Sequence, residues 1–82
     1  MKYIQAFLDQ RLVKTDDHDD RIPKILLYDL FCQWWEEDWM NRGRKFTRYT
    51  FSRRLTTLGY VWKNAWEDQK IQACWVGVQI KR

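Results

Sequence analysis

Several things are scarce in this chain, and each scarcity excludes something. A single proline, Pro23, and three glycines among 82 residues leave no room for a collagen-like or low-complexity region. Two cysteines, Cys32 and Cys74, stand far apart with no CxxC pair, and His18 is the one histidine. That is too few ligands for an ordinary zinc site, and two reduced, buried cysteines are expected in place of a disulfide. No run of about eighteen apolar residues occurs, so no membrane span is expected. The N-terminus mixes apolar and charged residues and lacks a signal-peptide core, which makes the cytoplasm the default location. There is no glycine-rich phosphate loop and no nucleophile with a recognisable base partner, so neither catalysis nor a cofactor is expected. His18 lies among Asp16, Asp17, Asp19 and Asp20, which offer hard oxygen ligands. The glycine and the terminal glutamate of an EF-hand loop are missing, and no metal is assigned.

Aromatic side chains and unevenly placed charge are what the chain does have. Six Trp, four Tyr and four Phe carry large apolar areas, which lets one short domain, residues 1–82, bury a core. Residues 1–40 hold five basic and nine acidic side chains, a net −4, whereas residues 41–82 hold ten basic and two acidic, a net +8. A one-sided positive field of this kind suits a polyanion-binding surface; the alternative is a basic face that is merely solvated.

Periodicity gives the elements. Tyr3, Ile4, Phe7, Leu8 and Leu12 make one stripe of a short amphipathic helix over residues 2–12. Thr15 to Asp20 has no apolar residue and reads as a solvated loop, with Asp19 and Asp20 favouring the positive end of a following helix. Pro23 fits the first turn of that helix, which runs to about Met40 with Leu27, Tyr28, Phe31 and Trp35 on one face and Leu30 and Trp34 widening it. Trp34, Trp35 and Trp39 are read as core. The stretch Asn41 to Lys45 is a basic turn, Thr47 an N-cap, and residues 48–58 a third helix with Phe51, Leu55 and Leu58 inward. Gly59 is placed as a left-handed C-cap. Tyr60 to Trp66 then reads as a strand, Glu67-Asp68-Gln69 as a turn, and Lys70 to Arg82 as a second strand with Gly77 as a bulge or close approach. Trp62 and Trp66 share a face expected to close the core.

Three helices followed by a two-stranded hairpin predict a mainly α, α+β fold: a winged helix-turn-helix with the hairpin as its wing. Its third helix would read DNA with Arg48, Tyr49, Ser52, Arg53 and Thr56. Arg42, Arg44 and Lys45, in the loop ahead, would meet the phosphate backbone, and Lys63 and Lys70 flank the wing. An acidic turn, Glu67-Asp68, argues for contact by the helix rather than the wing tip. Trp66 has a second use open to it, stacking on single-stranded bases.

Ile22-Pro23, Leu27-Tyr28, Phe31, Trp34-Trp35, Phe46-Thr47, Phe51, Leu55 and Trp75-Val76-Gly77-Val78 together form a pattern that resembles the C-terminal winged-helix domain of phage, plasmid and poxvirus-type primase–helicases. The resemblance spans about residue 3 to residue 80, mostly at core positions. It implies a DNA-associated, non-catalytic module of a mobile-element replication or regulatory protein, either a fragment or a free-standing protein. Two other functions compete with direct DNA binding. A small phage protein of this kind can bind and inhibit a host nucleic-acid-binding protein, with its basic face occupying a site normally used by acidic groups or nucleic acid or its acidic half mimicking DNA, or it can serve as an assembly module of a primase–helicase.

Overall fold

Among the described residues, three helices form where the apolar spacing places them. In this computed structural model, which describes residues 2–37 and 47–81 and side chains from Ile4 onward, α1 is Lys2–Arg11, α2 is Lys24–Glu37 and α3 is Arg48–Thr57. Helix α1 buries Ile4, Phe7 and Leu8; α2 buries Leu27, Phe31, Trp34 and Trp35; α3 buries Phe51 and Leu55. Phe31 stacks on Phe51 at 4.7 Å between centroids and meets Phe7 edge-on at 5.3 Å, so the helices are joined ring to ring. Each such pair adds about 0.5–1.5 kcal/mol beyond the area it buries. The Trp34 indole N–H donates to Gln10 Oε1 at 3.0 Å, which keeps a buried donor satisfied.

Both ends of α3 follow the local chemistry of the sequence. Thr47 accepts from the Thr50 N–H at 3.2 Å, satisfying one orphan donor of the first turn. At the other end Gly59 has φ +96°, the Gly59 N–H donates to the Thr56 carbonyl, and the Tyr60 N–H donates to the Leu55 carbonyl. These are the paired bonds of a Schellman motif. Leu58, expected inside, is 42% exposed, because the helix has already turned out at this residue.

The strands correct the expected winged helix-turn-helix. Among the described residues there are five, in two antiparallel sheets, not one terminal hairpin: β1 (Leu12–Lys14) pairs with β5 (Val78–Ile80), and β2 (Arg21–Pro23), β4 (Lys70–Val76) and β3 (Val61–Glu67) lie in the order β2-β4-β3. Strands β1 and β2 are three residues each, too short to display a period of two. Pro23 is therefore not in the first turn of α2. It faces Cys74 on edge strand β2, a position where a missing N–H is tolerated. Nor do Asp19 and Asp20 cap a helix: they belong to the β1–β2 connection. That connection is clamped at both ends on Gly77, whose carbonyl accepts from the Thr15 N–H at 2.7 Å and whose N–H donates to the Asp20 carbonyl at 2.8 Å. Gly77, at φ +67°, is the corner at which the last strand leaves one sheet for the other.

The β3–β4 hairpin turns through Asp68 and Gln69, both at positive φ (52° and 65°), the backbone that a two-residue type I′ turn demands. Arg21 pairs in register with Val76, six residues along β4 from Lys70, where a straight ribbon would set it ~20 Å from Glu67. Yet Arg21 Nε donates to Glu67 Oε1 at 2.8 Å and its guanidinium to the Trp66 carbonyl at 3.1 Å. The ribbon is therefore bent, with its turn end tied to the body. Cys32 and Cys74 are both free, and burial pushes the Cys74 thiol up. No described helix is long and apolar enough to cross a membrane.

Candidate nucleic-acid interface

A groove of ≈ 570 Å³ opens between the first two turns of α2, the first half of α3 and the β3–β4 hairpin. From α2 it takes Lys24, Ile25 and Tyr28; from α3, Arg48, Tyr49, Phe51 and Ser52; from β4, Lys70 through Ala73 and Trp75. Three of these are cations and none is a carboxylate. Residues directly opposite one another in an antiparallel pair share a face. Trp62 with Trp75, Asn64 with Ala73, and Trp66 with Ile71 thus form one face of the hairpin, the face to which Ile71, Ala73 and Trp75 in the groove wall belong. Trp75 at its inner end is buried, while Ile71 and Trp66 at its outer end are 68% and 64% exposed. Trp62 is exposed too. The expectation that Trp62 and Trp66 close the core is thus corrected. They do share a face, but of its aromatic rings only Trp75 is buried.

Lys24 organises the floor of the groove. Its ammonium sits 3.8 Å from the Trp62 ring centroid and 4.9 Å from that of Trp75, and it donates to Ser52 Oγ at 3.2 Å. Cation–π attraction and one hydrogen bond thus hold a lysine that burial pushes below its ordinary pKa. Behind it, burial and then the neighbouring Cys32 thiol raise the Tyr28 hydroxyl.

Among the expected DNA-contacting residues, Arg48, Tyr49, Ser52 and Lys70 line this groove. Ser52 is occupied in receiving Lys24. Arg53 lies outside the groove, on the exposed side of α3, with its guanidinium 5.6 Å from the Tyr49 ring centroid. Thr56 continues the Tyr49–Arg53 stripe at helical spacing, and its hydroxyl donates to the Ser52 carbonyl at 3.1 Å. Lys63 faces Cys74 in register, on the sheet face away from Trp75, and does not line the groove. Arg42, Arg44, Lys45 and the core candidate Trp39 lie outside the described residues.

Lys24, Ile25 and Ile71 belong to the site and were missed in the sequence. Lys24 carried a usable signal: a cation in the first turn of a helix opposes the helix dipole, so a lysine there needs another reason. Ile25 and Ile71 carried none, because their exposure depends on where the hairpin ends. Among the described residues no three His, Cys, Asp or Glu side chains converge as a metal site. Set against known proteins, the chain matches no family model and no curated protein by sequence.

Proposed function

We propose that the chain is a non-catalytic DNA-binding module, with α3 and the groove beside it as the binding surface. The observation that carries this reading is the chemistry of the groove: three cations and no carboxylate among its lining residues, with exposed aromatic rings at its edges. Phosphates supply the negative charge such a surface attracts, and released counterions drive the association. On the outer side of α3, Tyr49, Arg53 and Thr56 form a stripe, with Tyr49 71% exposed, from which a helix can reach phosphates or base edges. Setting the module in a phage or mobile-element replication or regulatory protein rests on the residue pattern between Ile22 and Val78 alone.

Fluorescence anisotropy with end-labelled DNA tests this. The double variant Arg48→Ala/Arg53→Ala is expected to weaken binding by about tenfold or more and to flatten its salt dependence, because two phosphate-neutralising charges are gone. Unchanged affinity in a folded double variant would reject α3 as the contact surface.

A further inference from the structure

Resting on the reading above, we infer that the groove between α3 and the β3–β4 hairpin takes unpaired nucleotides, with bases stacked on the exposed rings and the backbone following the basic residues. Two features select a single strand over a duplex. One is size. A groove of ≈ 570 Å³ is in the range of a small-ligand site, far too small for a duplex, whose major groove must itself receive a protein element. The other is the kind of surface presented. Tyr49 on the α3 wall, Ile71 on the hairpin wall and Trp66, the cross-strand partner of Ile71 just beyond that wall, are among the most exposed large apolar side chains described. Among the described residues none accepts a hydrogen bond from the Trp66 indole N–H.

Rings left in water at the edge of a cationic groove fit bases offered face-on, because every base has a π-face and paired bases hide theirs. The cations are set around these rings. Arg48 and Lys70 line the groove from opposite walls, and Arg53 lies over Tyr49 from outside. Lys24 is different in kind. Held between Trp62, Trp75 and Ser52, it fixes the floor and supplies positive potential there.

The test compares fluorescein-labelled oligothymidylate, about 12 nucleotides long, with a hairpin duplex of the same labelling, at one low salt concentration. Wild-type protein is expected to prefer the single strand by tenfold or more, with quenching of tryptophan fluorescence on binding. Trp66→Ala and Tyr49→Ala are each expected to lose roughly tenfold for the single strand, and Trp66→Ala, which lies off the α3 stripe, little for the duplex. Trp66→Phe, which keeps a ring, should recover most of the loss. Circular dichroism confirms folding, which these exposed positions should not disturb. Duplex binding equal to or tighter than single-strand binding, or ring variants that bind oligothymidylate as wild type does, overturns the inference while leaving a DNA-binding module standing. Binding of neither DNA overturns both, and binding of poly-glutamate in place of DNA points to an acidic protein partner and does the same.

Discussion

Replacing Gly77 with alanine strikes the junction between the two sheets. At φ +67° an L-residue pays about 1–2 kcal/mol for the left-handed conformation. The added Cβ would also lie 3.1 Å from the Thr15 carbonyl oxygen, tighter than ordinary van der Waals contact. That carbonyl cannot swing away freely, because the Thr15 N–H is bonded to the Gly77 carbonyl at 2.7 Å and the Gly77 N–H to Asp20. Crowding of this kind in packed structure adds about 1–2 kcal/mol, for a total cost of about 2–4 kcal/mol. Gly59→Ala is the control: its φ is +96°, but its added Cβ would meet only the flexible Lys14 ammonium, at 3.8 Å, so the conformational cost of about 1–2 kcal/mol stands alone. Urea denaturation followed by tryptophan fluorescence measures both, since Trp75 is buried in the folded chain and exposed on unfolding. For a domain of this size the Gly77 variant should also melt at least ~10 °C lower. A Gly77→Ala cost no greater than that of Gly59→Ala would refute the clamped corner.

Three further outcomes follow from the same structure. Gln69→Gly should stabilise the hairpin by about 0.5–1 kcal/mol in urea denaturation, because it relieves a non-glycine residue at φ 65°; a loss of stability would contradict the described turn. Phe31→Ala removes the ring that touches Phe7, Trp34, Trp35 and Phe51 and should cost about 3–5 kcal/mol, enough to leave a domain of this size near its unfolding threshold by circular dichroism. Burial raises the pKa of Cys74, Tyr28 and Tyr60, so the folded chain keeps protons that the unfolded chain loses above pH 9.0 for the thiol and 10.0 for the phenols. Stability contributed by these groups is therefore present below those values and lost as the pH rises through them. Lys24, pushed down by burial, acts in the opposite sense up to its ordinary 10.5. Lys24→Met should accordingly steepen the alkaline decline of the urea midpoint, and an equal slope in the two proteins would count against a desolvated Lys24.

What could be read from the sequence were the parts governed by local chemistry. The apolar spacing of Phe31, Trp34, Phe51 and Leu55 located the helices and their buried faces, and Thr47 and Gly59 marked the two ends of α3, because caps depend on neighbours within a turn. The hairpin was visible in the change of period after Tyr60. The short strands β1 and β2 were not, because a three-residue strand is defined by its partner, here residues some fifty to seventy positions away. That single omission turned a pair of sheets into a lone wing and gave Pro23 the wrong role. The site was legible in part for the same reason. Arg48 and Tyr49 belong to a helix whose outer face follows from its inner one. The exposure of Trp66 and Ile71, and the seating of Lys24 on Trp62, depend on how far the hairpin extends past the helices.

The measurement that bears most directly on the nucleic-acid assignment is the dissociation constant of the wild-type chain for labelled oligothymidylate across a series of salt concentrations. With Arg48, Arg53 and Lys70 each neutralising one phosphate, the logarithm of affinity should fall with the logarithm of salt at a slope of about −2 or steeper. No binding at low salt, or binding that does not change with salt, would contradict the assignment.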